Sequence, residues 1–214
     1  MRITNVQNID FKASPITIYS TNFFMSTDDI ENFKKICCYN NPSKGTITLS
    51  QNLNVLQDEN LKELNELFKE VSNHYSKEVL SLKNNFVMTN SWSSLSKKGD
   101  CHHAHNHPNI VFSLIYYVTD NNSKLVVGDN KSALQENLNF DYSVNKHNIY
   151  NSSNWTITPR KGNIIAILGD IIHRTLPHEG DHDRIIVGAN YFLDGHIGTD
   201  NDIYSSLKIK TSGI

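Results

Sequence analysis

The apolar positions change their period once along the chain. Over residues 26–39 (STDDIENFKKICCY), Ile30, Phe33 and Cys37 recur at steps of three and four, the spacing of one helix face. Ser26 or Thr27 stands as an N-cap, and Asp28, Asp29 and Glu31 fill the first turn, a helix-start signature. A stronger helical pattern starts at Asp58. Leu61, Leu64, Phe68, Val71 and Tyr75 make its apolar stripe; Lys62, Glu63, Glu66, Lys69 and Glu70 make the wet face. Both helices are expected to pack against a sheet. From about Asn84 the period shortens. NFVMTNSWSS, IVFSLIYYV, KLVV, NWTITP, NIIAILG and RIIVGANYFL are short runs rich in β-branched and aromatic residues, separated by KKGD, HPN, TDNNS, PRKGN and LPHEGD. Short strands punctuated by turn residues predict a β-sandwich or jelly roll. IVFSLIYYV alternates only in part, so that strand is expected to be buried on both faces.

Residues 129–154 lack clear periodicity and carry several Asn and Ser. They read as a long loop or insert, of the kind that often serves as a lid or binding loop. With no internal repeat, the expected organisation is one domain over residues 1–214. It divides into a helical flanking segment over 1–84, a strand core over 85–195 and a C-terminal extension over 196–214.

Composition narrows the function classes. At 214 residues with 38% hydrophobic residues the chain can bury a real core. Its formal charge of −2 gives no electrostatic footprint for nucleic acid or an anionic membrane. MRITNVQNIDFK has no apolar core of signal-peptide length, and no segment is long enough to span a bilayer. Cys37 and Cys38 are adjacent and Cys101 is isolated, which is neither a disulfide framework nor a zinc ribbon; a reducing, cytoplasm-like compartment is expected. There is no glycine-rich phosphate loop, so phosphoryl transfer has no support.

The chemistry-bearing residues concentrate in two places. GDCHHAHNHPN (99–109) holds His102, His103, His105 and His107, four of the ten histidines in the chain. On an extended strand, residues two apart share a face. His103, His105 and His107 are therefore expected on one face and His102 on the other. Imidazoles two apart have Cβ atoms roughly 6–7 Å apart and can meet one first-row metal ion. The second segment, PRKGNIIAILGDIIHRTLPHEGDHDRIIVGANYF (159–192), reads as a strand over 163–168, a turn at Gly169-Asp170, His173 near the start of the next strand, a loop over 177–183, and a last long strand opened by Arg184. A histidine and an arginine on successive strands can face one cavity. The first can complete a metal site, and the second can pair bidentately with a carboxylate.

HAHNHPNIVFSLIYYV, PRKGNIIAIL, IIHRTLPH and RIIVGANYF, in that order, resemble the non-haem iron, 2-oxoglutarate-dependent oxygenases. More narrowly, they resemble an oxygenase family common among marine bacteria and phages, with an HxHPNS…SGxYY segment. The resemblance covers about residues 90–193. It implies an α+β, mainly β fold: a double-stranded β-helix, or distorted jelly roll, with N-terminal flanking helices. It implies Fe(II), 2-oxoglutarate and O2, with oxidative decarboxylation of 2-oxoglutarate to succinate and CO2 coupled to hydroxylation of a substrate. Carried over residue by residue, it implies His105, His107 and His173 as metal ligands and Arg184 as the anchor of the cosubstrate's distal carboxylate. Tyr117 or Tyr116 would offer a hydroxyl to that carboxylate, Asn190 would line the far end of the pocket, and Trp92 and Asn90 would be walls.

The chain departs from the pattern at four places. Where most of the wider superfamily carries HxD or HxE, the second position here is His107. The ligand set therefore stays open between His105/His107/His173, a His103–His105 pair with His107 behind it, and a carboxylate such as Asp100. The serine that often follows the arginine by two is Ile186, so another donor is needed. SG of the family segment reads Ser113-Leu114, and Ile110 follows the asparagine. His102, His178, His182 and His196 are expected at the surface or behind the ligands. Two other activities stay open: a cupin-like metal-dependent dioxygenase without 2-oxoglutarate, and a non-catalytic metal- or ligand-binding jelly roll. The substrate is an unidentified small molecule or protein side chain. Nucleic acid and membrane are not expected partners, a homodimer is left open, and the expected location is the cytoplasm, that of the host if the chain is viral.

Overall fold

The structure is a computed structural model and describes residues 2–11, 14–42, 46–120, 123–128, 132, 135, 142–148, 151–198 and 206–209. In chain order the elements are β1 (Ile3–Phe11), β2 (Ser14–Thr21), α1 (Thr27–Cys37), β3 (Tyr39–Pro42), β4 (Thr48–Ser50), α2 (Lys62–His74), β5 (Asn85–Ser96), β6 (Phe112–Tyr117), β7 (Leu125–Val127), β8 (Trp155–Ile157), β9 (Asn163–Leu168), β10 (His173–Thr175), β11 (Arg184–Ile197) and β12 (Leu207–Ile209). The large antiparallel sheet runs β1-β2-β9-β6-β11-β5-β4-β3, with β12 paired to the end of β11, and a small sheet runs β10-β7-β8.

Strand parity sorts the large sheet into two faces. On β6, Phe112, Leu114 and Tyr116 point to the helices; on β11, Ile185, Val187, Ala189 and Tyr191 do the same. Their partners are the helix stripes: Phe33 and Cys37 of α1, and Leu64, Leu67, Phe68 and Val71 of α2. Each fully buried side chain of the size of Phe68 stabilises by about 1.5–3 kcal/mol relative to exposure. The opposite parity faces the small sheet. Ile115, Tyr117, Ile165, Ile167 and Ile186 pack there against Leu125, Val127 and Ile157. Two sheets packed face to face, with helices outside one of them, form the double-stranded β-helix with flanking helices.

The helices start where capping chemistry predicts. The Asp29 amide donates to Ser26 Oγ at 3.1 Å, while the Ser26 amide donates to Asp29 Oδ2 at 3.2 Å, a reciprocal capping box. α2 is entered through a 3-10 turn, Glu59–Leu61, and leaves through a π-helical turn, Tyr75–Val79. The expectation of a helical segment over 1–84 is corrected in part. β1 and β2 form a hairpin, and β2 pairs with β9, extending the large sheet. The signal is the period-two run ITIYST. Ile16 and Ile18 turn to the small-sheet side and Tyr19 to the helix side.

Half of the expected insert over 129–154 lies outside the described residues, and its described part contains no strand. In the C-terminal extension, β11 runs on to Ile197, and β12 pairs back on it from Gly195↔Ile209 to Ile197↔Leu207. Among the described residues no helix is long and apolar enough to cross a membrane.

Candidate active site

The histidine segment is not a regular strand. It meets β10 of the small sheet through the Thr175 amide, which donates to the His102 carbonyl at 3.2 Å, and through an isolated bridge, in which the His105 amide donates to the His173 carbonyl at 3.0 Å and the His173 amide donates to the His105 carbonyl at 2.8 Å. That pair of bonds sets the two imidazoles side by side, with ring centroids 4.3 Å apart. Two residues on, the His107 amide donates to the Gly169 carbonyl at 2.8 Å. The approach needs glycine, because a Cβ on Gly169 would lie 2.9 Å from the His107 carbonyl oxygen. One ligand-capable atom from each of His105, His107 and His173 lies within 4.8 Å of the others.

Hydrogen bonds fix which nitrogen each ring presents. His105 Nδ1 lies 2.8 Å from the His103 carbonyl, and His173 Nδ1 lies 2.9 Å from the Ile171 carbonyl. A carbonyl only accepts, so both rings carry their proton on Nδ1 and leave the Nε2 lone pair free. His107 Nδ1 lies 2.7 Å from Ser113 Oγ and 3.0 Å from Asn190 Oδ1, and Ser113 Oγ donates to Asn190 Oδ1 at 2.6 Å. Backing of one nitrogen by a carbonyl, hydroxyl or amide orients the other toward a metal. Burial keeps the rings neutral. It holds His105 and His107 below the ordinary value of 6.5 and His173 down to about 3. Three neutral imidazoles with converging lone pairs fit a first-row divalent ion, including Fe(II). Among the described residues that line this cavity none is Asp or Glu. Asp100 is spent elsewhere, as its Oδ2 accepts from the Lys97 amide at 2.7 Å.

The register of three strands builds the rest. β11 pairs Arg184↔Ser96, Ile186↔Ser94 and Gly188↔Trp92 on one side, and Ile186↔Tyr117, Gly188↔Ile115 and Asn190↔Ser113 on the other. Arg184, Ser94, Trp92, Tyr117, Ile115 and Ile186 line the same cavity as the three histidines. A side chain on Gly188 would collide with the Trp92 indole. Its absence lets that indole lie edge-on to His107, with centroids 5.5 Å apart.

Arg184 is 4% exposed. Its Nη1 donates to Ser96 Oγ at 3.2 Å, and its guanidinium lies 5.8 Å from the centre of the Tyr117 ring. Arg184 Nε is buried without a protein partner among the described residues. Buried polar groups are nearly always partnered, so this guanidinium fits an anionic group entering the cavity. Burial raises the Tyr117 hydroxyl above its ordinary value, with Arg184 opposing, and the phenol stays a neutral donor.

Several sequence expectations change here. Tyr116 is not at the cavity: parity turns it to the helix side, where its hydroxyl donates to the Phe23 carbonyl at 2.9 Å. Of the two tyrosines, Tyr117 lines the site. Asn190 does not line the cavity; it stands behind His107 and accepts from it. Asn90, opposite Asn190, is likewise not a wall, whereas Trp92 is. His102, expected on the face away from the other histidines, lines the cavity, with its ring centroid 4.1 Å from that of His105, while His103 is exposed. The irregular backbone of the segment breaks strict alternation. His178, expected at the surface or behind the ligands, is buried, with Nε2 against the His182 carbonyl at 2.8 Å. The hydroxyls missing at position 186 are present across the strand pair, on Ser94 and Ser96. A rule that looks two residues along one strand cannot find them.

Comparison with known proteins agrees with this geometry. Residues 90–190 match the family described as "Putative 2OG-Fe(II) oxygenase". No curated protein matches the chain. Among solved structures, a prolyl hydroxylase from Trichoplax adhaerens in complex with a hypoxia inducible factor peptide superposes with a TM-score of 0.57 at 12% identity, over 83% of this chain and 83% of that one. HygX from Streptomyces hygroscopicus, with nickel and 2-oxoglutarate bound, gives 0.55 at 8% identity over 82% of each chain. A Pseudomonas putida prolyl-4-hydroxylase gives 0.52 at 13% identity, over 83% of this chain and 93% of that one. At these identities the structures establish a shared fold. Residues 90–190, just under half of the chain, thus match the 2OG-Fe(II) oxygenases, whose chemistry uses Fe(II), 2-oxoglutarate and O2.

Proposed function

We propose that His105, His107 and His173 hold the Fe(II), that Arg184 anchors the distal carboxylate of 2-oxoglutarate, and that the reaction is hydroxylation of a small molecule or a polypeptide side chain. One observation carries this reading: three imidazoles with free Nε2 lone pairs and one buried, under-partnered guanidinium line a single cavity. When bound, the iron and cosubstrate supply the oxidising chemistry, with O2 consumed and 2-oxoglutarate decarboxylated to succinate and CO2.

The chain's own residues bind, orient and exclude water. Asn190 and Ser113 hold His107 in one tautomer and one orientation. The Ile171 and His103 carbonyls do the same for His173 and His105. Ser96 fixes the guanidinium of Arg184, and Ser94 and Tyr117 offer hydroxyls beside it. Trp92, Ile115 and Ile186 supply the apolar wall that keeps charge interactions inside strong. Because the ligand set carries no charge of its own, the cosubstrate dianion balances the metal. The free thiols of Cys37, Cys38 and Cys101 support a reducing compartment, the cytoplasm.

The test measures 2-oxoglutarate affinity and Fe(II) affinity separately. Arg184→Ala removes a charged hydrogen-bond partner, a loss of about 1.5–3 kcal/mol or roughly 10–100-fold in 2-oxoglutarate affinity, with Fe(II) affinity retained. Unchanged 2-oxoglutarate affinity in Arg184→Ala would overturn the assignment.

A further inference from the structure

His102 and His103 have no part in the ligand set described above, yet they form a second one. One ligand-capable atom from each of His102, His103 and His105 lies within 4.8 Å of the others, as in the set of His105, His107 and His173. The two sets share His105. Its Nδ1 is committed to the His103 carbonyl, so a single lone pair, on Nε2, serves either set, and one ion cannot occupy both. Ring spacing is close throughout the outer set: centroids lie 4.1 Å apart for His102 and His105, 4.9 Å for His102 and His103, and 5.2 Å for His103 and His105. Exposure falls along the series. His103 is exposed, His102, His105 and His107 are half-buried, and His173 is buried.

We propose that His102, His103 and His105 form an outer metal site that captures a divalent first-row ion from solvent and passes it to His107 and His173 by ligand exchange, with His105 bound throughout. The proposal rests on the reading that the inner set is the resident metal site. A buried site needs an entry path as much as it needs ligands, and an ion stripped of water in an apolar cavity is strongly disfavoured unless coordinated. Exchange pivoting on His105 replaces two imidazoles by two others. The ion keeps nitrogen donors at every stage, and no proton or electron moves. The Thr175 hydroxyl accepts from the His102 amide at 2.8 Å and holds that residue at the rim.

The test uses the full chain and Co(II) alone, followed by visible absorption and by calorimetry. The double variant His107→Ala/His173→Ala is expected to keep a weaker Co(II) site, and adding His102→Ala/His103→Ala to it is expected to abolish binding. In the otherwise unchanged chain, His102→Ala/His103→Ala is expected to slow Co(II) uptake about tenfold, the change lying in the association rate, with final affinity retained. Glutamine replacements at 102 and 103 repeat the measurement should an alanine variant unfold. No Co(II) binding by the inner-site double variant, or uptake at the wild-type rate in the 102/103 variant, would overturn the outer site. Undiminished Co(II) affinity in the inner-site double variant would overturn the inner assignment and the proposal with it.

Discussion

In the proposed metal site, Asn190 and Ser113 would act through His107, whose ring they touch from behind. Loss of a hydrogen bond that orients a ligand typically costs about 10–100-fold in metal affinity. Asn190→Ala is therefore expected to weaken Co(II) binding by that factor, read by direct titration, with 2-oxoglutarate binding to the metal-loaded protein retained. Affinity equal to wild type would remove Asn190 from the support of His107. At this scale the sequence put forward His105, His107, His173 and Arg184 as candidates, from a histidine pair two residues apart, a distal histidine and an arginine on the next strand, and the structure brings all four to one cavity. Which tyrosine faces inward was not, since Tyr116 and Tyr117 differ only in parity, and parity follows from the pairing of β6 with β11. His102 was missed because alternation was assumed for a segment whose backbone is irregular. Asn190 was found as a residue but given the wrong task; nothing in one strand's sequence says that its amide meets His107 from a neighbouring segment.

At the level of elements, β11 carries the most information. One parity of it packs the helices, and the other presents Arg184, Ile186, Gly188 and Asn190 to the site side. Gly188→Ala forces a methyl group against the Trp92 indole. Overpacking of this kind costs about 1–3 kcal/mol, and denaturant unfolding is expected to show that loss together with a disturbed His107 environment. An unchanged midpoint would mean that the indole can swing aside freely. At the start of α1, Ser26→Ala removes one side of the capping box and is expected to cost about 0.5–2 kcal/mol, measured in the same way. Both helices and the core strands were legible from period and capping. The β1–β2 hairpin was not recognised, although ITIYST alternates, because the helices that follow dominate the local pattern. The opposing serines could not be read either, since cross-strand register is not written in any one strand.

Across the whole molecule, the large sheet separates two apolar layers, and the site sits in the one between the sheets. Burying four histidines there has a consequence for pH. In the metal-free protein, burial holds His102 and His173 down to about 3 and keeps His105 and His107 below 6.5. Unfolding releases these rings to titrate near 6.5. Between 6.5 and 3 the unfolded chain binds more protons than the folded one, so stability is complete above about 6.5 and is lost as pH falls through that window. Denaturant midpoints of the metal-free protein at pH 7.5 and 5 are expected to differ in that direction, with a smaller difference in His173→Gln. An equal difference in that variant would place the proton linkage elsewhere.

The central claim is that three histidines and one arginine in a single cavity form the iron and cosubstrate site. The measurement that tests it most directly is an anaerobic titration of the metal-free protein with Fe(II) and then 2-oxoglutarate, watching for the visible charge-transfer absorption of a chelated 2-oxoglutarate–iron complex. The account predicts a saturable band, a weakened 2-oxoglutarate dependence in Arg184→Ala, and loss of the band in His107→Ala. Tight Fe(II) binding with no band at saturating 2-oxoglutarate, or a band indifferent to both substitutions, would contradict it.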